Sequence, residues 1–167
     1  NQASLQRGAK NFVNYCLACH SARYVRYNRV AADIGLTEQQ MVKNLLWSGD
    51  SPHSTMTNGL HADDGKQWFG VAPPDLSLIA RSKGTDYVYT FLKSFYADPA
   101  KGTGVNNLSL PGTAMPHVLW ELQGERRPIF EKKMEHGHEV EIFTGRWQVT
   151  RPGTMDARAY DEAVSDL

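Results

Sequence analysis

One string in this chain carries an unmistakable chemical pattern: Cys16-Leu17-Ala18-Cys19-His20. C-x-x-C-H is the attachment pattern of a c-type haem. The spacing has a physical reason. One helical turn places Cys16 and Cys19 on the same side, where each sulfur can add to one vinyl group of the porphyrin. His20 follows at once, so its imidazole lies beneath the iron of the same ring. Two other chemistries use C-x-x-C. A thioredoxin-like redox pair requires a βαβ context, for which this sequence has no pattern. A structural zinc site requires four ligands, and here two of them would have to be distant histidines.

A haem iron held by histidine on one side has a second axial position. A methionine there raises the potential and suits electron transfer. Among the five methionines, Met41 belongs to a capped helix, Met134 lies among charges, and Met155 opens the last helix. Met56, in a polar stretch, and Met115 remain as rivals. Met115 follows Pro111-Gly112-Thr113-Ala114 and precedes Pro116. Prolines on both sides leave an extended loop little entropy to lose when a sulfur is aimed. His117, two residues on, reads as a surface loop residue or a group behind the ligand. His136 and His138 read as solvated. Arg81 and Lys83 offer cations for haem propionates, although an exposed arginine at a helix end explains Arg81 equally well. Tyr87, Tyr89, Phe91, Phe95 and Tyr96 read as core and haem-pocket wall.

The elements that must position these groups are mostly helical. A first helix capped by Ser4 runs toward Cys16, with Gly8 marking a close helix contact. Thr37 and Gln40 form a capping box for a second helix, with Leu36 and Met41 as its hydrophobic staple and Gly49 as its stop. Residues 50–72 read as a long loop. Pro73-Pro74-Asp75 starts a short helix ended by Gly84, another runs from Thr85 to about Tyr96, and residues 100–116 form a Gly- and Pro-rich loop. A helical segment spans His117 to Gln123. Around 139–150 the period changes to two, with Val140, Ile142, Trp147 and Val149 flanking Thr144-Gly145, which predicts a small hairpin turning there. Asp156 to Leu167 returns to helical spacing. The alternating glutamates and basic residues from Glu121 to Glu139 read as a solvated face.

The chain has 167 residues, enough for one domain with a real core. Its 18 basic and 18 acidic side chains cancel, which argues against nucleic acid as a partner. Two cysteines cannot make a disulfide framework. No stretch approaches the ~20 apolar residues of a membrane span, and no secretory signal opens the chain. The expectation is a body soluble by itself.

Several longer stretches resemble the cytochrome c1 family, the haem subunits of the quinol–cytochrome c oxidoreductase (bc1) complex, in a compact bacterial form. They are Ser4 to Lys10, Asn14 to Ser21, Arg26 to Arg29, Trp68-Phe69-Gly70, Ala72-Pro73-Pro74-Asp75-Leu76-Ser77, Tyr89 to Pro99, Met115-Pro116-His117-Val118-Leu119-Trp120-Glu121-Leu122-Gln123-Gly124 and Tyr160 to Val164. The resemblance implies a mainly α, class I cytochrome c core with first and last helices packed together. It favours Met115 over Met56 as axial ligand with His20, one covalent haem c, and Arg81 with Tyr87 at the haem, Lys83 being a rival for the propionate. It further implies a one-electron relay from a Rieske iron–sulfur protein to a soluble cytochrome c. The chain would stand beside cytochrome b at the periplasmic face of a bacterial inner membrane, and would not be an enzyme by itself. Family members end in an apolar membrane anchor, which this sequence lacks, so membrane contact would come through a missing anchor or partner subunits. A freely diffusing c-type carrier is the alternative, followed by a haem sensor or enzyme with an open distal site.

Overall fold

The computed structural model describes residues 1–167. The chain opens with helix α1 (Gln2–Asn11), capped by Asn1, whose side chain accepts from the Ala3 amide. Ser4, the expected cap, lies inside the first turn. Its hydroxyl instead donates to Asp166, 162 positions downstream at the end of the last helix, at 2.5 Å. Arg7 completes that junction on the same carboxylate at 2.6 Å. Helix α8 (Ala157–Ser165) is capped by Asp156, which accepts from the Ala159 amide. The two terminal helices pack together as expected, and Gly8 is the reason they can. It is buried, and a Cβ there would collide with the backbone carbonyl of Asp166.

Between them the chain builds β1 (Ala22–Arg26), α2 (Tyr27–Asp33), α3 (Glu38–Asn44), β2 (Thr55–Met56), α4 (Ala62–Phe69), α5 (Ile79–Lys83), α6 (Thr85–Leu92), β3 (Phe95–Ala97), β4 (Val105–Asn107), α7 (Trp120–Gln123), β5 (Gly124–Glu135) and β6 (His138–Pro152). The capping box on α3 is present, with Thr37 and Gln40 exchanging side-chain and backbone hydrogen bonds. The helix ends at Asn44, before Gly49. The main core gathers Val13, Leu17, Ala22, Tyr27, Ala31, Ile34, Met41, Leu45 and Met56. A smaller one, Leu119, Tyr160 and Val164, sits between α7 and α8. No helix is long and apolar enough to cross a membrane.

Three further expectations are corrected. Residues 50–72 are not one loop: β2 pairs with β1, and α4 follows, ended by Gly70 in the left-handed region. Asp63-Asp64-Gly65 resembles a turn, but Gly65 is a helical residue pressed against Pro73, where a side chain would not fit. Pro73-Pro74-Asp75 does not open a helix. It stays extended, and α5 begins at Ile79. The helix from Thr85 ends at Leu92, and Phe95–Ala97 forms β3, paired antiparallel with β4.

The hairpin is also far larger than expected, with strands of 12 and 15 residues. Its turn is His136-Gly137, both at positive φ (51° and 82°), the arrangement that matches the twist of a two-residue hairpin. Thr144-Gly145 is a bulge instead. Pro128 pairs with Trp147 and Phe130 with Phe143, so β6 carries extra residues there. Thr144 closes the bulge by donating its hydroxyl to the Ile129 carbonyl at 2.8 Å. With this ribbon included, helix remains the larger share, but the antiparallel strand pairs make the β part far more than a small excursion.

Candidate functional site

The approach to Cys16 changes winding. After α1 the backbone passes into a π-helical turn over Phe12–Cys16, and the Leu17 amide donates to the Phe12 carbonyl at 3.0 Å. Such turns are rare and concentrate at functional sites. The Cys16 carbonyl then accepts twice, from the Cys19 amide (3.1 Å) and the His20 amide (2.8 Å). That double acceptance closes the single turn that the motif requires. Leu17, 3% exposed, anchors the turn in the main core while Ala18 faces outward.

Both thiols are free. Burial pushes Cys16 up to about 11, with the neighbouring Cys19 adding to the effect. A protonated, half-buried thiol is unlike the activated thiolate of a redox pair. No group of three or more His, Cys, Asp or Glu converges to hold an ion, so the four-ligand zinc reading has no built site.

The decisive contact is at His20. Its Nδ1 lies 2.8 Å from the Pro74 carbonyl. A carbonyl only accepts, so Nδ1 carries the proton and Nε2 keeps its lone pair for a metal. The extended course of Pro73-Pro74-Asp75 makes this possible, because a helix would have turned that carbonyl to its own use. The segment is stapled to the motif along its length. The Leu76 amide donates to the Ser21 carbonyl (2.8 Å), Asp75 accepts from the Arg23 amide (2.9 Å) and side chain (3.1 Å), and the Ser77 hydroxyl accepts from the Tyr24 amide (3.1 Å). Burial alone would raise the Asp75 carboxyl, but hydrogen bonds from Ser77 and Arg23 outweigh it and hold it at about 2. Two free thiols one turn apart and an imidazole of fixed tautomer are the donor set that a covalent haem needs, and these residues fit that group.

The remaining candidates stand on other segments, and no hydrogen bond joins them to the Cys16–His20 turn. Met115 is half-buried in an irregular loop, its amide donating to the Thr113 hydroxyl at 3.3 Å. Its rival Met56 is 4% exposed and packed into the main core. Arg81 is exposed on α5 and makes no ion pair with a carboxylate of the chain. Tyr87, 37% exposed on α6, stacks with Phe91 at 6.2 Å, and Lys83 lies 6.0 Å from its ring. His117 is not a surface residue: it is 7% exposed and its ring lies parallel to Phe95 at 4.9 Å.

Sequence reasoning missed four contributors. Pro74 acts through its carbonyl, and Asp75 braces that segment. Asn106 and Asn107 are both buried and shape the loop that leads to Met115. Asn107 Oδ1 accepts from the Ser109 and Leu110 amides, and Asn106 Oδ1 accepts from the Gly112 amide. The adjacent asparagines were the available signal, since a short amide side chain can cap several amides of a turn.

The cytochrome C1 family model matches residues 1–127. The chain belongs to the cytochrome c1 family. It is 45% identical to the cytochrome c1 of Allochromatium vinosum over all of this chain and 68% of that protein. It is 43% identical to a protein of Nitrosomonas europaea named ammonia monooxygenase gamma subunit, over all of this chain and 66% of that protein. A more distant relative, a mitochondrial cytochrome c1 of Solanum tuberosum whose name includes "heme protein", is 28% identical over 71% of this chain and 45% of its own length. The chain thus spans about two thirds of the length of the first two relatives. The family provides the haem subunit of the bc1 complex. Electron transfer through a covalent haem c is accordingly the function of this chain, which is not an enzyme by itself.

Proposed function

We propose that the chain is the one-electron relay between a Rieske iron–sulfur protein and a soluble cytochrome c, beside cytochrome b on the periplasmic face of a bacterial inner membrane. When bound, haem c supplies the ferric/ferrous couple. The chain's own residues do the rest. Cys16 and Cys19 bind the group as thioethers. His20 presents Nε2 to the iron, and its Nδ1–H bond to Pro74 fixes the ring and raises its basicity. Met115 would supply a thioether ligand to the iron, which would favour the ferrous state and raise the potential. Arg81, free of any protein carboxylate, would pair with a propionate, and Tyr87 would help line the haem pocket.

The observation that carries this reading is the His20–Pro74 contact beside two free thiols in one turn. Met115 is supported over Met56 by burial: the Met56 side chain is already committed to the core. The ligand set also separates the reading from a haem sensor, because two protein ligands leave no open position.

The test begins with the haem-loaded chain. Haem should remain with the polypeptide through acid-acetone extraction, and Cys16→Ser with Cys19→Ser should release it. The ferric protein should show a sulfur-to-iron charge-transfer band in the near infrared that Met115→Ala abolishes. Stopped-flow mixing of the reduced chain with an oxidised soluble cytochrome c should show rapid exchange, with no catalytic quinol oxidation by the chain alone. A haem that extracts freely, or exchange that is slow at every ionic strength, would refute the relay.

A further inference from the structure

The Met115 loop has little backbone support of its own. Between Ser109 and Pro116 the internal bonds are Thr113 amide to Leu110 carbonyl (3.1 Å) and Met115 amide to Thr113 hydroxyl (3.3 Å). What holds a loop of this kind must lie at its ends. Upstream are Asn106 and Asn107. Downstream is His117, and behind it stands a half-buried chain of side chains that the electron-transfer reading does not use.

That chain runs through three residues. His117 Nε2 is 2.6 Å from the Gln123 side-chain amide. With the amide oriented to satisfy both neighbours, its nitrogen donates to His117 Nε2 and its oxygen accepts from Arg126 at 2.8 Å. Arg126 spends its other donors on the carbonyls of Lys93 and Phe95 and lies 3.7 Å over the Trp147 ring. No carboxylate pairs with it. Holding an arginine this way is costly unless every donor is satisfied. Glutamine is the side chain the middle position needs, because one amide donates on one side and accepts on the other. His117 is fixed by its ring as well, since it stacks on Phe95, which is itself 1% exposed. Its carbonyl accepts from the Trp120 amide at 3.2 Å, tying the same residue to the start of α7.

We propose that the Arg126–Gln123–His117 chain is the device that holds Met115 in position for the iron, with His117 as the positioning residue. The inference rests on Met115 being the sixth ligand. His117 is two residues from that sulfur, joined through Pro116, whose ring restricts the backbone between them. A fixed imidazole therefore fixes the approach of the loop. The brace reaches beyond the residues matched by the family model, because Trp147 of β6 supplies the face on which Arg126 rests. The base of the long ribbon is thereby part of the support for the ligand.

The experiment uses the haem-loaded full chain and measures how fast imidazole displaces the sixth ligand of the ferric protein, followed by loss of the near-infrared band. His117→Phe keeps a ring to stack on Phe95 and removes the acceptor. Gln123→Leu breaks the chain without touching either end, and keeps the test available if the first variant does not fold. Met56→Ala, a cavity in the main core, which contains none of the three brace residues, controls for global loss of stability. Both brace variants should raise the displacement rate constant about tenfold or more, the equivalent of one buried hydrogen bond, and Met56→Ala should not. Displacement at the wild-type rate in Gln123→Leu, or equal acceleration in Met56→Ala, would overturn the brace alone. A band that survives Met115→Ala would overturn the ligand assignment and the brace with it.

Discussion

The two sides of the candidate haem site are held in place by different means. On the His20 side the backbone does the work. A π turn leads into a carbonyl that accepts twice, and an extended Pro-Pro segment is stapled alongside strand β1. On the Met115 side the backbone is irregular and side chains do the work, through paired asparagines at one end and the Arg126–Gln123–His117 chain at the other. The first arrangement lies on the large core and the second near a core of three residues. On the proposed assignment the permanent attachment stands on the stiff half. The exchangeable bond is assigned to the half whose placement depends on a few polar contacts, each of which can be lost singly.

That contrast can be broken by showing that stability and ligation travel together. Met56→Ala removes a 4% exposed side chain from the large core and should cost about 2–5 kcal/mol of unfolding free energy, by cavity formation. Denaturant titration should show this with the near-infrared band intact in the folded protein. A band lost with Met56 would move the ligand to the stiff half and end the contrast.

Gly8→Ala tests the junction of the terminal helices. Alanine is the better helix former, yet its Cβ would meet the Asp166 carbonyl, and backbone cannot yield as a flexible side chain can. The expected net cost is about 1–3 kcal/mol, seen as a fall of a few degrees in thermal midpoint. A neutral or stabilising result would show that the helices are free to separate.

The smallest effect concerns Asp75. Its carboxyl is held at about 2 in the fold, against roughly 3.9 when unfolded. A depressed acid contributes stability that is full above the unfolded value and is lost as pH falls through the folded one. Acid titration of the wild type should therefore steepen between about pH 4 and about pH 2, and Asp75→Asn should flatten that limb while lowering stability modestly near neutrality. Superimposable acid limbs would show that the staple beside His20 does not depend on this charge.

The C-x-x-C-H pattern is legible because its chemistry is local: five consecutive residues carry it. Gly8 and the α3 capping box are legible for the same reason, as each rests on a residue type with one dominant use, whereas the packing of the first and last helices follows from the family resemblance. Pro74 is not legible, since a carbonyl has no side-chain signature and Pro-Pro-Asp suits a helix start as well as an extended segment. His117 was misread as a surface residue because the groups that bury it, Phe95 and Gln123, lie 22 positions before it and 6 after it. The hairpin turn was placed at Thr144-Gly145 because threonine-glycine resembles a turn. Only cross-strand pairing reveals that it is a bulge and that His136-Gly137 reverses the chain.

The contact between Ser4, Arg7 and Asp166 has a consequence for how the molecule assembles. It closes a loop of about 160 residues, the most expensive closure in the fold by chain entropy. An isolated helix of ten residues is marginal in water, so α1 becomes persistent only when α8 has arrived to cover it. During synthesis the amino-terminal part emerges before α8 does. Throughout that interval the turn carrying Cys16 and Cys19 is joined to a helix that is still fraying, and both thiols are more accessible than in the finished protein. The interval before α1 and α8 meet is therefore the one in which the thiols are easiest to reach, and docking of α8 draws it to a close.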